Sequence, residues 1–286
     1  MIVVRLIGGL GNQMFQYASA LALAKRTGSD LILDLSAFKH YSLRDYGLQQ
    51  WKISARIASS VELRKFPRWG ARVARYTQKL GIKTRFYSEL GLGFDPAFMK
   101  LHAPVYLNGY FQSEKYFLNI RSILLEEFQP SNPLLAQNSR HASDAIESNS
   151  VAIHIRRGDY VSNTHNLSIH GVCSLGYYER AINIIRSKIG PANFFVFSDD
   201  MEWVRENIRI PDEVVFVEGN NARPEADIHL MSLCKHNICA NSSFSWWGAW
   251  LNRNPEKIVI APDPWFVSKA LDSNHLIPQD WFQVSS

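Results

Sequence analysis

The chain has 286 residues, 46% of them hydrophobic and 20% charged, with a formal net charge of +5. That length suits two mid-sized domains, and the composition is that of a globular protein, which excludes a disordered or fibrous one. The mild basicity favours anionic ligands or membrane surfaces without marking a nucleic-acid binder, and the odd set Cys173, Cys234 and Cys239 argues against a disulfide framework and for a reducing compartment.

Residues 2–6, a short β-branched run, read as a strand that ends in Gly8-Gly9. From Gln13 to Lys25 the residues Met14, Tyr17, Ala18, Leu21 and Ala24 recur at helical spacing. Leu31–Asp34 is the next predicted strand. Strand, glycine loop, helix and strand in that order predict a βαβ unit and a parallel sheet. The apolar N-terminus lacks a charged n-region, and Arg5 and the glycines interrupt it. No run reaches the ~18 apolar residues of a membrane span. The expectation is a protein that starts at Met1 and stays in the cytoplasm.

Between residues 64 and 86, Phe66, Trp69, Val73, Tyr76 and Leu80 recur at three- and four-residue steps. Arg64, Lys65, Arg68, Arg72, Arg75 and Lys79 fill the other faces, and no acid interrupts from Leu63 to Ser88. Such a basic amphipathic helix either lies on an anionic membrane or packs on the core with a solvated basic face. Val105–Gly109 reads as a strand and Lys115–Phe128 as a helix. The breaker-rich segment Gln129–Ser150, with a short helix inside it, is where one domain is expected to pass into the next. The predicted domains are therefore residues 1–135 and 150–286, the C-terminal tail packing back on the first.

The second half repeats the alternation. Strands are expected at Val151–Ile155, Asn193–Phe197, Val214–Val217, Asn237–Ala240 and Lys257–Ala261. Helices are expected at Tyr177–Lys188, Met201–Asn207, Pro224–His236 and Phe244–Asn252, with Pro224 in the first turn. Two doubly wound domains bind ligands in the cleft at the carboxyl ends of their strands.

Three of those strand ends carry polar clusters: Arg156-Arg157-Gly158-Asp159, Ser198-Asp199-Asp200, and Asn241-Ser242-Ser243. Adjacent arginines after a strand point to opposite faces, so one can grip a phosphate while the other braces the fold. Ser242 and Ser243 open a helix, where they are either an anion site or an ordinary cap. The loop "GGLGNQMF" (8–15) leaves backbone N–H groups open to a phosphate. It lacks the third glycine of the dinucleotide fingerprint and the Lys-Ser/Thr of a P-loop. Asp199 and Asp200 cap the following helix or hold a divalent metal. Asp227, in a helix first turn, complements the dipole or accepts two N–H bonds from a guanine edge. Cys234, His236 and Cys239 match no zinc spacing and read as buried residues with free thiols.

Taken in order, "GGLGNQMFQYA" (8–18), "HIRRGDY" (154–160), "FSDD" (197–200), "ADIHLMSLC" (226–234) and "NSSFSWWGAWLN" (241–252) resemble the α-1,2-fucosyltransferases of glycosyltransferase family eleven. The resemblance implies an α/β GT-B fold: two Rossmann-like, doubly wound domains with an interdomain cleft. The implied donor is GDP-β-L-fucose, used without an obligatory metal. Fucose would pass with inversion to the 2-hydroxyl of a galactose-terminated glycan, as in surface polysaccharide synthesis. The resemblance maps Arg156 to the pyrophosphate and His154 to the neighbourhood of the nucleotide. It maps Asp227 to guanine, and Ser242 and Ser243 to phosphate. Gly9, Gly11, Asn12 and Gln13 map to the loop that reaches the donor from the other domain. Asp159 is the candidate base, the alternative being that it orients an arginine. Two other readings are a different GDP-sugar or fucosyl linkage, and a non-catalytic nucleotide- or glycan-binding protein. No nucleic-acid partner is implied, and residues 64–86 suggest peripheral association with the inner membrane surface.

Overall fold

A computed structural model describes residues 1–39, 45–66, 73, 76, 84–271 and 273–286. The chain divides into two compact units. The first is Met1–Gln129 with Asn274–Pro278, and the second is Pro130–Ser273 with Gln279–Ser286. Of the basic segment expected at 64–86, the stretch 67–83 lies outside the described residues except for Val73 and Tyr76.

The first unit contains β1 (Ile2–Arg5), α1 (Leu10–Thr27), β2 (Leu31–Asp34), β3 (Arg56–Ile57), α2 (Ser60–Arg64), β4 (Phe86–Ser88), β5 (Val105–Asn108) and α3 (Arg121–Glu127). Its parallel sheet runs β3-β2-β1-β5-β4. The strand order therefore reverses between β1 and β5, where ligands bind in open α/β sheets. Val3, Ile32 and Tyr106 bury one sheet face beneath Phe66. Gly28 ends α1 in the left-handed conformation (φ 60°) that glycine adopts without strain.

The helix expected at Lys115–Phe128 is instead two 3-10 turns, Glu114–Tyr116 and Leu118–Ile120, followed by α3. Tertiary packing explains the break. Tyr116 joins a ring cluster with Phe98 (4.8 Å between centroids), whereas its neighbour Phe117 packs on Phe15 (6.0 Å).

The second unit holds α4 (Ala136–Glu147), β6 (Ser150–Ile155), α5 (Gly158–Ser162), α6 (Thr164–His170), α7 (Leu175–Ile189), β7 (Asn193–Ser198), α8 (Met201–Asn207), β8 (Glu213–Phe216), α9 (Pro224–Leu233), β9 (His236–Ile238), α10 (Ser243–Leu251), β10 (Val259–Asp263) and β11 (Phe282–Ser285). Its strands are parallel in the order β11-β10-β9-β6-β7-β8. In chain order from β6 this is 3-2-1-4-5-6 read from β8, the dinucleotide-fold arrangement, with its switch point between β6 and β9.

Val151, Ile153 and Ile155 of β6 bury one face against Tyr177, Ile182 and Ile185 of α7. On the other side α10 carries Trp246, Trp247 and Trp250, all buried. Gly248 lets α9 and α10 approach: a Cβ there would lie 2.7 Å from Met231 Cβ. The three cysteines are free and buried. Among the described residues, no helix is long and apolar enough to cross a membrane.

Candidate functional site

In the second unit the site is built at the carboxyl ends of the strands that flank the switch point. Arg156 follows β6. Its Nη1 lies 2.9 Å from Asp199 Oδ2, at the end of β7, and its Nη2 pairs with Asp159 Oδ1. The guanidinium sits 5.5 Å from the Tyr160 ring centroid. Two carboxylates and a ring hold it from separate directions, yet its side chain keeps 21% of its exposure. Asn166 Nδ2 donates to Asp159 Oδ2 (3.3 Å), so that carboxylate is engaged on both oxygens.

Arg157 turns away. Its Nε lies 3.1 Å from Asp200 Oδ2 and its guanidinium 3.7 Å from the Trp203 ring centroid. Asp200 also caps α8, accepting from the Trp203 N–H (3.3 Å). The two faces expected of adjacent arginines are thus observed: Arg157 braces α8 and Arg156 stays at the sheet edge.

Gly158 lies against Asp199, and a Cβ at this position would overlap Asp199 Oδ2. Asp199 Oδ1 meanwhile accepts the Arg157 backbone N–H at 2.9 Å. The brace from Asp199 to Arg156 was missed in the sequence. Its only signal was that "FSDD" ends the strand beside "HIRRGD".

His154 occupies the opposite face of β6 from the α7 core, 5.5 Å from Phe244 of α10. It is buried, and its Nδ1 has no hydrogen-bond partner. Burial first, and then the Arg156 charge, push its pKa down to about 3, so the ring is neutral. Across the switch point, Ser242 Oγ caps α10 by accepting the Phe244 N–H (3.3 Å), and Ser243 is the first helical residue. Asn241 is structural. Its Nδ2 donates to the His170 carbonyl at 2.7 Å and fixes the approach to α10.

Asp227 stands in the first turn of α9. Burial raises its pKa to about 6, against a hydrogen bond from Asn220 Nδ2 (2.6 Å) that lowers it. Asn220 is held in turn by Asn138 of α4 at 2.7 Å. This buried pair was not legible in the sequence, because its members are 82 residues apart.

In the first unit, Gly8 (φ 81°) and Gly9 turn the chain from β1 into α1. Gln13 is fully buried. Its Nε2 donates to the carbonyls of Gly8 and Asp45, and its Oε1 accepts the Gly47 N–H, all at 2.9 Å. Its side chain therefore shapes the loop. Gln16 clasps the Ile7 peptide in the same way. Gly11 is buried, whereas Asn12 is half-exposed and accepts from Gln112 Nε2 at 2.8 Å.

Asp199 and Asp200 are each paired with an arginine. Among the described residues, no cluster of three or more His, Cys, Asp or Glu stands in metal-binding arrangement.

A family model described as "Glycosyl transferase family 11" matches residues 1–285. An "Alpha-1,2-colitosyltransferase" of Escherichia coli is 42% identical, covering 99% of this chain and 98% of its own. The "O-antigen biosynthesis glycosyltransferase WbnK" of Escherichia coli is 33% identical over 98% of this chain and 99% of its own. A "Galactoside alpha-(1,2)-fucosyltransferase 2" of Rattus norvegicus is 28% identical over 88% and 67%, respectively. Among solved structures, POFUT1 in complex with GDP-fucose superposes with a TM-score of 0.52 at 15% identity, covering 91% of this chain and 97% of that one. Arabidopsis thaliana FUT1, as a variant bound to GDP, gives a TM-score of 0.52 at 12% identity, with 91% and 70% covered. These likenesses show the fold, an α/β GT-B architecture.

Proposed function

The chain belongs to glycosyl transferase family 11, and from that membership we propose that it moves L-fucose from GDP-β-L-fucose, with inversion, to the 2-hydroxyl of a terminal galactoside. The observation that carries the reading is Arg156. It is an arginine held by two carboxylates at the switch point of a dinucleotide-type fold, opposite a serine-capped helix start.

Breaking the fucose–phosphate bond leaves negative charge on GDP. In this reading Arg156 and the first-turn N–H groups of α10 are fixed in advance where that charge develops, so no reorganisation is needed during the reaction. Asp159, engaged with Arg156 and Asn166, orients the arginine; as a base it would use an oxygen that already accepts a hydrogen bond. His154, neutral and with an unpartnered Nδ1, offers a hydrogen-bonding atom to the nucleotide. Asp227 reads the guanine edge with the carboxylate oxygen that Asn220 leaves open. Ser242 and Ser243 take a phosphate, and Gly9, Gly11, Asn12 and Gln13 supply the loop of the first unit.

The engagement of Asp199 and Asp200 by arginines supports a reaction that needs no metal. The buried free thiols support a cytoplasmic setting. Peripheral attachment through residues 64–86 belongs to the same proposal; among the described residues there, Phe66 packs on the sheet, whereas Val73 and Tyr76 are exposed. Liposome sedimentation with Arg68, Arg72 and Arg75 neutralised tests it.

The decisive experiment is incubation with GDP-fucose and a panel of galactosides, the product linkage being read by NMR. A new α-1,2 linkage is expected, and GDP binding without transfer to any galactoside refutes the reading. A second donor is favoured by one observation, the relative named for colitose at 42% identity. A parallel screen with GDP-colitose decides between the two sugars.

A further inference from the structure

The carboxyl edge of the first unit carries a polar row that the donor site does not use. β1, β2, β4 and β5 end in Arg5, Asp34, Ser88 and Asn108. Arg5 pairs in register with Asp34, and Asn108 with Ser88. Two residues before each of them stand Val3, Ile32, Phe86 and Tyr106, the apolar cluster of one sheet face. Alternation along a strand puts the polar row on that same face, at the rim where α/β sheets bind ligands.

The row is joined by hydrogen bonds but not neutralised. Arg5 Nη1 donates to Asn108 Oδ1 at 3.2 Å, and Asn108 Nδ2 donates to Ser88 Oγ at 3.4 Å. Asp34 is the carboxylate nearest in register, yet it is spent elsewhere. Its Oδ1 accepts the Ser36 N–H (2.8 Å) and its Oδ2 the Tyr106 hydroxyl (2.7 Å). No carboxylate among the described residues lies within ion-pair distance of Arg5, in contrast to Arg156, Arg157, Arg186 and Arg223 of the second unit. A half-buried guanidinium has five N–H donors, and a single neutral partner leaves most of them unanswered. Such a charge is matched either by water or by a ligand rich in oxygen acceptors.

We propose that Arg5, with Asn108, forms a subsite for the acceptor sugar, the guanidinium donating to two neighbouring hydroxyl oxygens of the galactoside. Planar paired donors at fixed spacing suit a vicinal diol in the way they suit a carboxylate. The subsite lies at the β1–β5 switch point, beside the glycine loop that follows β1. The inference rests on the acceptor reading above and adds the residues that recognise the sugar.

The discriminating variant is Asn108→Asp. It is isosteric and gives Arg5 an internal counter-charge at the observed contact, so the guanidinium is drawn away from an incoming sugar. The expected result is a rise of about tenfold in the KM for lactose, the scale of a lost charge-assisted hydrogen bond. The KM for GDP-fucose should be unchanged and the unfolding temperature equal or higher. Arg5→Met should raise the lactose KM at least as much. A purely structural row differs in the KM alone: Asn108→Asp stabilises the fold but leaves the lactose KM unchanged, and that result overturns the proposal. So does an equal rise for donor and acceptor. Titration of lactose into the GDP-saturated protein, followed by saturation-transfer NMR, repeats the comparison without turnover. Should the wild type bind lactose but transfer nothing to it, the enzyme reading fails, while the Kd values of the variants still decide the subsite.

Discussion

Gly158→Ala isolates the geometry on which the site depends. By helix propensity alone the change should help, since Gly158 begins α5 and alanine is favoured over glycine by about 1 kcal/mol within a helix. The tertiary contact opposes this, because the new Cβ would clash with Asp199 Oδ2. That carboxylate must rotate, and in doing so it loses Arg156 Nη1 at 2.9 Å. Side-chain exposures of 21% and 26% place the pair between a surface and a buried ion pair. Gross attraction near 3 Å is about 5 kcal/mol at an effective dielectric of 20, and desolvation and side-chain entropy cancel much of it. A net loss of about 1–3 kcal/mol in holding Arg156 remains, which exceeds the propensity gain.

If that energy is expressed in the transition state, turnover falls roughly 10- to 100-fold. Steady-state kinetics with GDP-fucose and lactose should show the fall in kcat. GDP titration and thermal unfolding on the same preparation show whether the fold persists. The partner test is Asp199→Ala. Both changes remove the same contact, so the double variant should be no slower than the worse single one. Turnover of Gly158→Ala within threefold of wild type, or full additivity with Asp199→Ala, refutes the reasoning.

Arg156→Ala should lose about 10²–10³ in turnover, the usual scale for removing a preorganised donor. Arg157→Ala should instead lower the unfolding temperature, because it strips a cation–π contact worth about 0.5–2 kcal/mol from Trp203, and kcat should change little. For Asp227 the folded pKa of about 6 lies above the unfolded value, so the native state holds the proton more tightly. The free protein therefore gains stability as pH falls from about 6 towards 4 and carries a penalty above 6. Asp227→Asn should accordingly raise the unfolding temperature at pH 7.5, by about 1–3 kcal/mol of stability, while weakening GDP binding. Equal GDP affinity of that variant and the wild type would remove Asp227 from the nucleotide site. Activity should persist in excess EDTA, and loss that Mg²⁺ restores would return Asp199 and Asp200 to a metal role.

The strand-end clusters of the second unit were legible because each is contiguous in the chain. "RRGD" and "NSS" each follow a β-rich run directly, and a parallel sheet sends all such ends to one edge. The row Arg5, Asp34, Ser88 and Asn108 was not legible. Each member is a single polar residue, and only the register of β1, β2, β4 and β5 brings them into line. The clasp on Gln13 was hidden for a related reason. Its partners at Asp45 and Gly47 lie 32 and 34 residues along the chain, and only the fold brings them to its amide. The break in the helix expected at Lys115–Phe128 follows the same logic, since periodicity reports the apolar side chains but not the two ring clusters they join.

Local chemistry in the sequence determined the alternation of strands and helices, the glycine turns between them, and the residue types at the donor edge, because these follow from neighbours a few positions apart. Tertiary structure alone decided which of Asp199 and Asp200 each arginine of the pair meets. It gave Asp199 to Arg156, set the Asn138–Asn220–Asp227 chain, and brought no carboxylate of the described residues within ion-pair distance of Arg5. Apart from the Asn220–Asp227 bond, those outcomes depend on contacts between residues 42 to 103 positions apart. Only the packed sheet sets such distances, and at 3 Å a charge is matched or stranded by a shift of one register step.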